Sequence, residues 1–203
     1  MSEPALRERR RRQTEREIGD VALELFERQG VDATTVDEIA RAAGVSSRTF
    51  FRYFATKEAA ALVPHVDLDE RVERMLAELG PGRPLLDQLE DVWREVLTAF
   101  DDGRSEAGRL LLRVRRLMLT EPGLRQAAVA LDAERVDELV ARVARAMQLD
   151  DDLPARIAVE AAAVAVRVTL DRWADARDEG RRVDLLATYA DACRYLRELG
   201  GPG

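Results

Sequence analysis

Side chains able to make or break bonds are few in this chain and far apart. It holds one histidine, His65, and one cysteine, Cys193, so sequence spacing offers neither a metal-ligand cluster nor a nucleophile paired with a base. The 39 Asp and Glu residues fall at spacings expected of solvated helix faces, and no glycine-rich phosphate loop is present. No cofactor, no metal and no enzymatic activity are expected. Hydrogen-bonding and cationic side chains gather instead on one short segment: Thr35, Ser46, Ser47, Arg48, Thr49, Arg52, Tyr53 and Lys57, the one lysine among 32 basic residues. These groups can recognise a partner but not transform it.

The elements that would position them are helical. Ile18, Val21, Ala22, Leu25 and Phe26 form an amphipathic stripe that predicts a first helix over 14–29, stopped by Gly30. Thr35 followed by Glu38 fits a capping box opening a short second helix, which ends at Gly44. Ser46 can cap a third helix from Ser47 to about Tyr53, with Phe50 and Phe54 on its inner face and Arg48 and Arg52 on another. A small inward Ala40, a turn at Gly44 and Val45 at the corner complete the grammar of a helix-turn-helix. Short helix pairs are common in helical proteins, so this grammar alone leaves open a helical interaction or scaffold protein that binds no DNA.

The run Gly44-Val45-Ser46-Ser47-Arg48-Thr49-Phe50-Phe51-Arg52-Tyr53-Phe54-Ala55-Thr56-Lys57-Glu58 closely resembles the hallmark of the TetR family of bacterial regulators, and the resemblance spans residues 14–62. It implies a homodimeric, ligand-responsive transcription regulator, most often a repressor, whose third helix enters double-stranded operator DNA of palindromic sequence. By that resemblance Ser47, Arg48 and Arg52 would meet base edges, arginine suiting guanine. Thr49, Tyr53 and Lys57 would contact phosphates, while Thr35 and Ser46 cap the helices at the same interface. Phe51 stands where the family most often has a phosphate-contacting tyrosine, and Arg48 where many members have glycine. Position 51 therefore lacks that hydroxyl, while Phe51, like Thr35 and Ser46, is still expected among the DNA-binding residues.

The remainder bounds the whole. The formal charge of −7 is uneven, net +1 over residues 1–57 and net −8 beyond. Arg7, Arg9, Arg10, Arg11, Arg12 and Arg16 read as a flexible basic arm over 1–13 or as a merely solvated charge run. The expected organisation is all-α with about nine helices: that arm, a three-helix helix-turn-helix domain over 14–60, and a helical bundle over 61–203 for effector binding and dimerisation. Pro64 should kink or divide a fourth helix that runs on to Leu79. Further helices are expected over 85–100, 105–119, 122–147, 154–179 and 184–199. An apolar effector cavity is expected near His65, Trp93, Phe100, Met118 and Trp173, with Arg109, Arg113 or Arg116 at its mouth, although such side chains read equally well as ordinary core or surface. The run Leu110–Arg125 resembles an actinobacterial branch described as binding acyl-CoA-like ligands, which implies an acyl-CoA or fatty-acid-like effector. Ile157, Ala161, Val164 and Val168 line one side of the 154–179 helix, and Val159, Ala162, Val166 and Trp173 the other. With the final helix they could build an intermolecular four-helix bundle, the interface known for the family. No membrane span is expected, and the lone cysteine suits the cytoplasm.

Overall fold

The cap chemistry read from the sequence sets the starts of the short helices. In the computed structural model, which describes residues 3–63, 68–100 and 103–199, Thr35 and Glu38 form a reciprocal capping box: the Thr35 amide donates to Glu38 Oε2 at 2.8 Å and the Glu38 amide to Thr35 Oγ1 at 3.3 Å. The interaction holds the Glu38 carboxyl below its ordinary range, chiefly through the Thr35 backbone donor. Ser46 accepts from the Thr49 amide at 3.0 Å and Thr56 from the Ala59 amide at 3.1 Å. Each relieves one of the amides that a helix start leaves unpaired.

Ten helices and no strand occur among the described residues: α1 (Glu3–Gln29), α2 (Val36–Ala42), α3 (Ser47–Tyr53), α4 (Lys57–Ala61), α5 (Leu68–Glu78), α6 (Leu85–Thr98), α7 (Glu106–Thr120), α8 (Pro122–Ala146), α9 (Leu153–Asp178) and α10 (Leu185–Leu199). The count exceeds nine because the expected fourth helix is two, α4 and α5, on either side of Pro64. The segment expected as a flexible arm is helical from Glu3 and continuous with the rest of α1. Ion pairs such as Arg11 Nε to Glu15 Oε1 at 3.0 Å link successive turns there, a spacing that supports an exposed helix. His65 lies outside the described residues.

The chain divides into two compact units, and the division does not follow sequence order. One comprises residues up to His65 together with Arg113–Leu131; the other comprises Val66–Leu112 and Asp132–Gly203. The expected 60/61 boundary thus misses an excursion of the later chain into the first unit. Its core holds Ile18, Ala22, Leu25 and Phe26 of α1, Ile39 and Ala40 of α2, Phe50 and Phe54, and also Leu124 of α8, with Leu117 and Met118 of α7 packed against it. Helices of seven, seven and five residues are too short to cover the apolar side of α1, and the α7–α8 turn supplies what they lack. Arg113 fastens that segment through two hydrogen bonds to Glu27 of 2.8 and 2.7 Å.

The second unit is organised around α9, whose buried residues run from Ala155 to Ala176. Its first half packs with Met75, Leu89, Val140 and Val143, and its second half with Leu97, Leu185, Tyr189 and Cys193. Glu90 is 1% exposed within this unit; its carboxylate pairs with Arg197, while the Tyr189 hydroxyl donates to the Glu90 carbonyl at 3.3 Å. Burial raises the Glu90 carboxyl above its ordinary range, although Arg197 opposes that shift. Among the described residues no helix is long and apolar enough to cross a membrane.

Candidate nucleic-acid interface

The turn between α2 and α3 is built from the backbone outward. Gly44 sits at φ 68°, where a residue with a β-carbon is strained. The Val45 amide returns to the Ala40 carbonyl at 2.9 Å. Ser47 Oγ donates to Asp37 Oδ1 at 2.5 Å, tying the first turn of α3 to α2. Phe50 is wholly buried, which fixes the rotation of α3 and hence the side chains left outside.

Those outside are the expected ones, each in its own environment. Arg48 is exposed and has no hydrogen-bond or ion-pair partner among the described residues. Arg52 leans over the Tyr53 ring, 5.1 Å from its centroid, and donates to the Tyr53 hydroxyl at 3.3 Å. Thr49 is half-buried and shares a 2.9 Å hydrogen bond with the Ser46 hydroxyl. Phe51 is 57% exposed.

Lys57 has a structural engagement that its sequence position did not reveal. Its ammonium donates to the Val31 carbonyl at 2.6 Å and to the Thr34 carbonyl at 2.8 Å. It therefore caps the turn joining α1 to α2, and two of its three N–H donors are committed within the protein. Gly19 was also missed. A β-carbon there would stand 2.8 Å from the Ala60 carbonyl oxygen, so the glycine lets α4 cross α1 closely. Only the tertiary approach of the two helices gives it away.

The described residues expected at an effector cavity fall in both units. Trp93, Phe100 and Trp173 belong to one apolar cluster of the second unit, where Trp173 is fully buried. Arg109 is exposed and donates to the Arg104 carbonyl, and Arg116 is exposed on α7. Met118 and Arg113 stand in the first unit, against its core and paired with Glu27 respectively. A cleft of about 210 Å³ in the second unit is lined by Met75, Leu79 and Val92 among charged groups including Glu78, Arg83 and Asp91, none of them expected from the sequence. Among the described residues no cluster of His, Cys, Asp and Glu could hold a metal.

A capped seven-residue helix, fixed through a glycine turn to a second helix and presenting arginines outward, defines a helix-turn-helix transcription regulator. A family model described as bacterial regulatory proteins of the tetR family matches residues 18–61. The HTH-type transcriptional regulator TcmR of Streptomyces glaucescens is 36% identical over 178 residues, covering 84% of this chain and 77% of TcmR. MftR of Mycobacterium tuberculosis is 37% identical over 138 residues, covering 66% of this chain and 67% of MftR. The chain belongs to the TetR family. Among solved structures, Thermus thermophilus FadR, a TetR-family transcriptional repressor in complex with lauroyl-CoA, is 30% identical, with a TM-score of 0.52 and coverage of 91% of this chain and 93% of that one. Bacillus subtilis FadR in complex with stearoyl-CoA shares the fold at 22% identity and TM-score 0.51, covering 89% and 96% of the two chains.

Proposed function

We propose that this regulator is a cytoplasmic repressor that binds a palindromic operator as a homodimer and releases it when an acyl-CoA or fatty-acid-like effector occupies the second unit. The observation that carries the DNA reading is Arg48, exposed and without a partner among the described residues, on a helix whose rotation is fixed by buried Phe50. Helix-turn-helix proteins place the first turns of this helix in the major groove. There Arg48 and Arg52 would read base edges, while Thr49, Tyr53 and Lys57 hold phosphates. Two copies related by a two-fold axis would meet two half-sites.

Support for the dimer comes from α9. Its inward side is buried at Val159, Ala162, Val166 and Trp173, whereas Ile157, Val164 and Val168 remain 63%, 38% and 45% exposed, and on α10 Leu186 and Tyr195 remain 37% and 56% exposed. A stripe of that kind on two long helices is the surface a four-helix bundle between copies would cover. Support for the effector comes from the lauroyl-CoA bound by the Thermus FadR and from the apolar cluster of Trp93, Phe100 and Trp173 in the second unit.

The test is gel retardation on sites selected from random double-stranded DNA, with a salt titration and addition of acyl-CoAs of graded chain length. Steep loss of binding with salt is expected, because phosphate contacts release counterions, as is release by one range of acyl chains, because an effector must favour the non-operator conformation. Failure to enrich any site would overturn the regulator reading. Indifference to every acyl-CoA and fatty acid would overturn the effector reading alone.

A further inference from the structure

We propose that Phe51 is a specificity-determining residue whose ring packs against the 5-methyl group of a thymine in each operator half-site; this rests on α3 being the DNA-reading helix. Between residues 14 and 62 every other large apolar side chain is buried or half-buried, yet Phe51 leaves 57% of its surface to water. At helical spacing Ser47, Arg48, Phe51 and Arg52 fall on one side of α3, and Phe50 points from the other side into the core. The exposed ring thus shares a face with the arginine that has no partner among the described residues. It is also braced, standing edge-on to the buried Phe50 ring with centroids 5.6 Å apart and planes at 86°.

The chemistry of the occupant follows. A phenyl ring neither donates nor accepts a conventional hydrogen bond, so phosphate oxygens, ring nitrogens, carbonyls and exocyclic amines give it no directional contact. The major-groove edges of the bases carry one apolar group, the thymine methyl. A protein partner on this face would have to strip water from Arg48 and Arg52 as well, a cost that DNA offsets with its own acceptors and phosphates. Arg48 and Phe51 together therefore call for a guanine and a nearby thymine in each half-site.

The experiment uses the full-length protein and sites selected from random double-stranded DNA, with each thymine replaced in turn by deoxyuridine, which removes only the methyl. In the wild type, one thymine per half-site should weaken binding about fourfold when replaced, the effect of burying one methyl group. Phe51→Ala should bind the thymine and uracil sites equally, and its own selection should lose the thymine at that step. Phe51→Leu, still apolar, should keep part of the preference. The wild-type series needs no variant, so a poorly folded Phe51→Ala leaves the proposal testable. It is overturned if no thymine-to-uracil change weakens the wild type, or if the same change weakens Phe51→Ala as much. A change in the number of protomers bound, with thymine preference intact, would mark Phe51 as a protein contact and also overturn it. Selection that enriches no site removes the DNA-reading helix itself, whereas enriched sites without a Phe51-dependent thymine remove only this assignment.

Discussion

Arg48 and Lys57 show how differently two cations on adjoining helices are used. Arg48 is exposed and partnerless among the described residues, so its fork of donors is available to a base edge at little conformational cost. Arg48→Ala should cost about 1–3 kcal/mol on the cognate site and relax preference at one position in each half-site. Equal loss on cognate and random DNA, measured by competition binding, would place Arg48 on the phosphates instead. Lys57 is half-buried and holds two carbonyls of the α1–α2 turn, so its removal acts on the fold as well as on DNA. Lys57→Met should lower stability by about 1–3 kcal/mol, since carbonyls that lose a charged donor are left partly unpaired, and should weaken random and cognate DNA alike. Urea unfolding reads the first effect and nitrocellulose filter binding the second. Unchanged unfolding would refute the capping role.

At the scale of elements, the crossing of α1 and α4 depends on an atom that is missing. Gly-to-Ala inside a helix ordinarily stabilises by about 0.5–1 kcal/mol. At Gly19 the new β-carbon would stand 2.8 Å from the Ala60 carbonyl oxygen, and backbone cannot yield cheaply. Gly19→Ala should therefore destabilise, by about 1–3 kcal/mol, in urea titrations; a stabilised variant would show that α4 does not sit this close. In the second unit, α6 and α10 meet at Glu90, whose carboxyl is raised by burial and faces Arg197, Asp87, Arg94, Tyr189 and Cys193. A raised folded-state value means the native chain holds its proton after the unfolded chain has lost it. The associated stability is present below the ordinary carboxylate range and lost as pH rises through the folded value. The stability difference between Glu90→Gln and wild type should consequently shift toward the variant as pH goes from about 4 to 7. A difference that stays flat or shifts toward the wild type, by thermal melting across that range, would contradict the burial argument.

For the whole molecule, α9 presents one side to its own core and another, apolar at Ile157, Val164 and Val168, to water, and the second is the surface the proposed dimer would cover. Ile157→Asp with Val164→Asp puts charge on that outer stripe without touching the buried side. It should leave helical content unchanged while sedimentation velocity shows a monomer, and operator affinity should fall because each half-site must then be bound without a tethered partner. A dimer that survives both charges would place the interface elsewhere.

Local rules made the helix-turn-helix legible: Thr35 with Glu38, Ser46 and Thr56 announce helix starts, Gly44 announces a turn, and Phe50 with Phe54 gives the inner face. All of these act within a few residues, so the sequence alone determined the order of helices, the helix proposed as the reader and the family it resembles. The two-sided apolar pattern of α9 was equally visible, because helical period is a local property. Tertiary structure decided the rest. Leu124 and Met118 complete the core beneath α1, Arg113 binds Glu27 from 86 positions away, Lys57 reaches back 26 positions to Val31, and Gly19 makes room for Ala60. These pairings leave no periodic trace, since their partners meet only after the chain has folded. Which unit each expected effector residue joins was beyond the sequence for the same reason: α7 passes from one unit to the other at Arg113, and a helix shows its faces in sequence but not which core each turn of it will join.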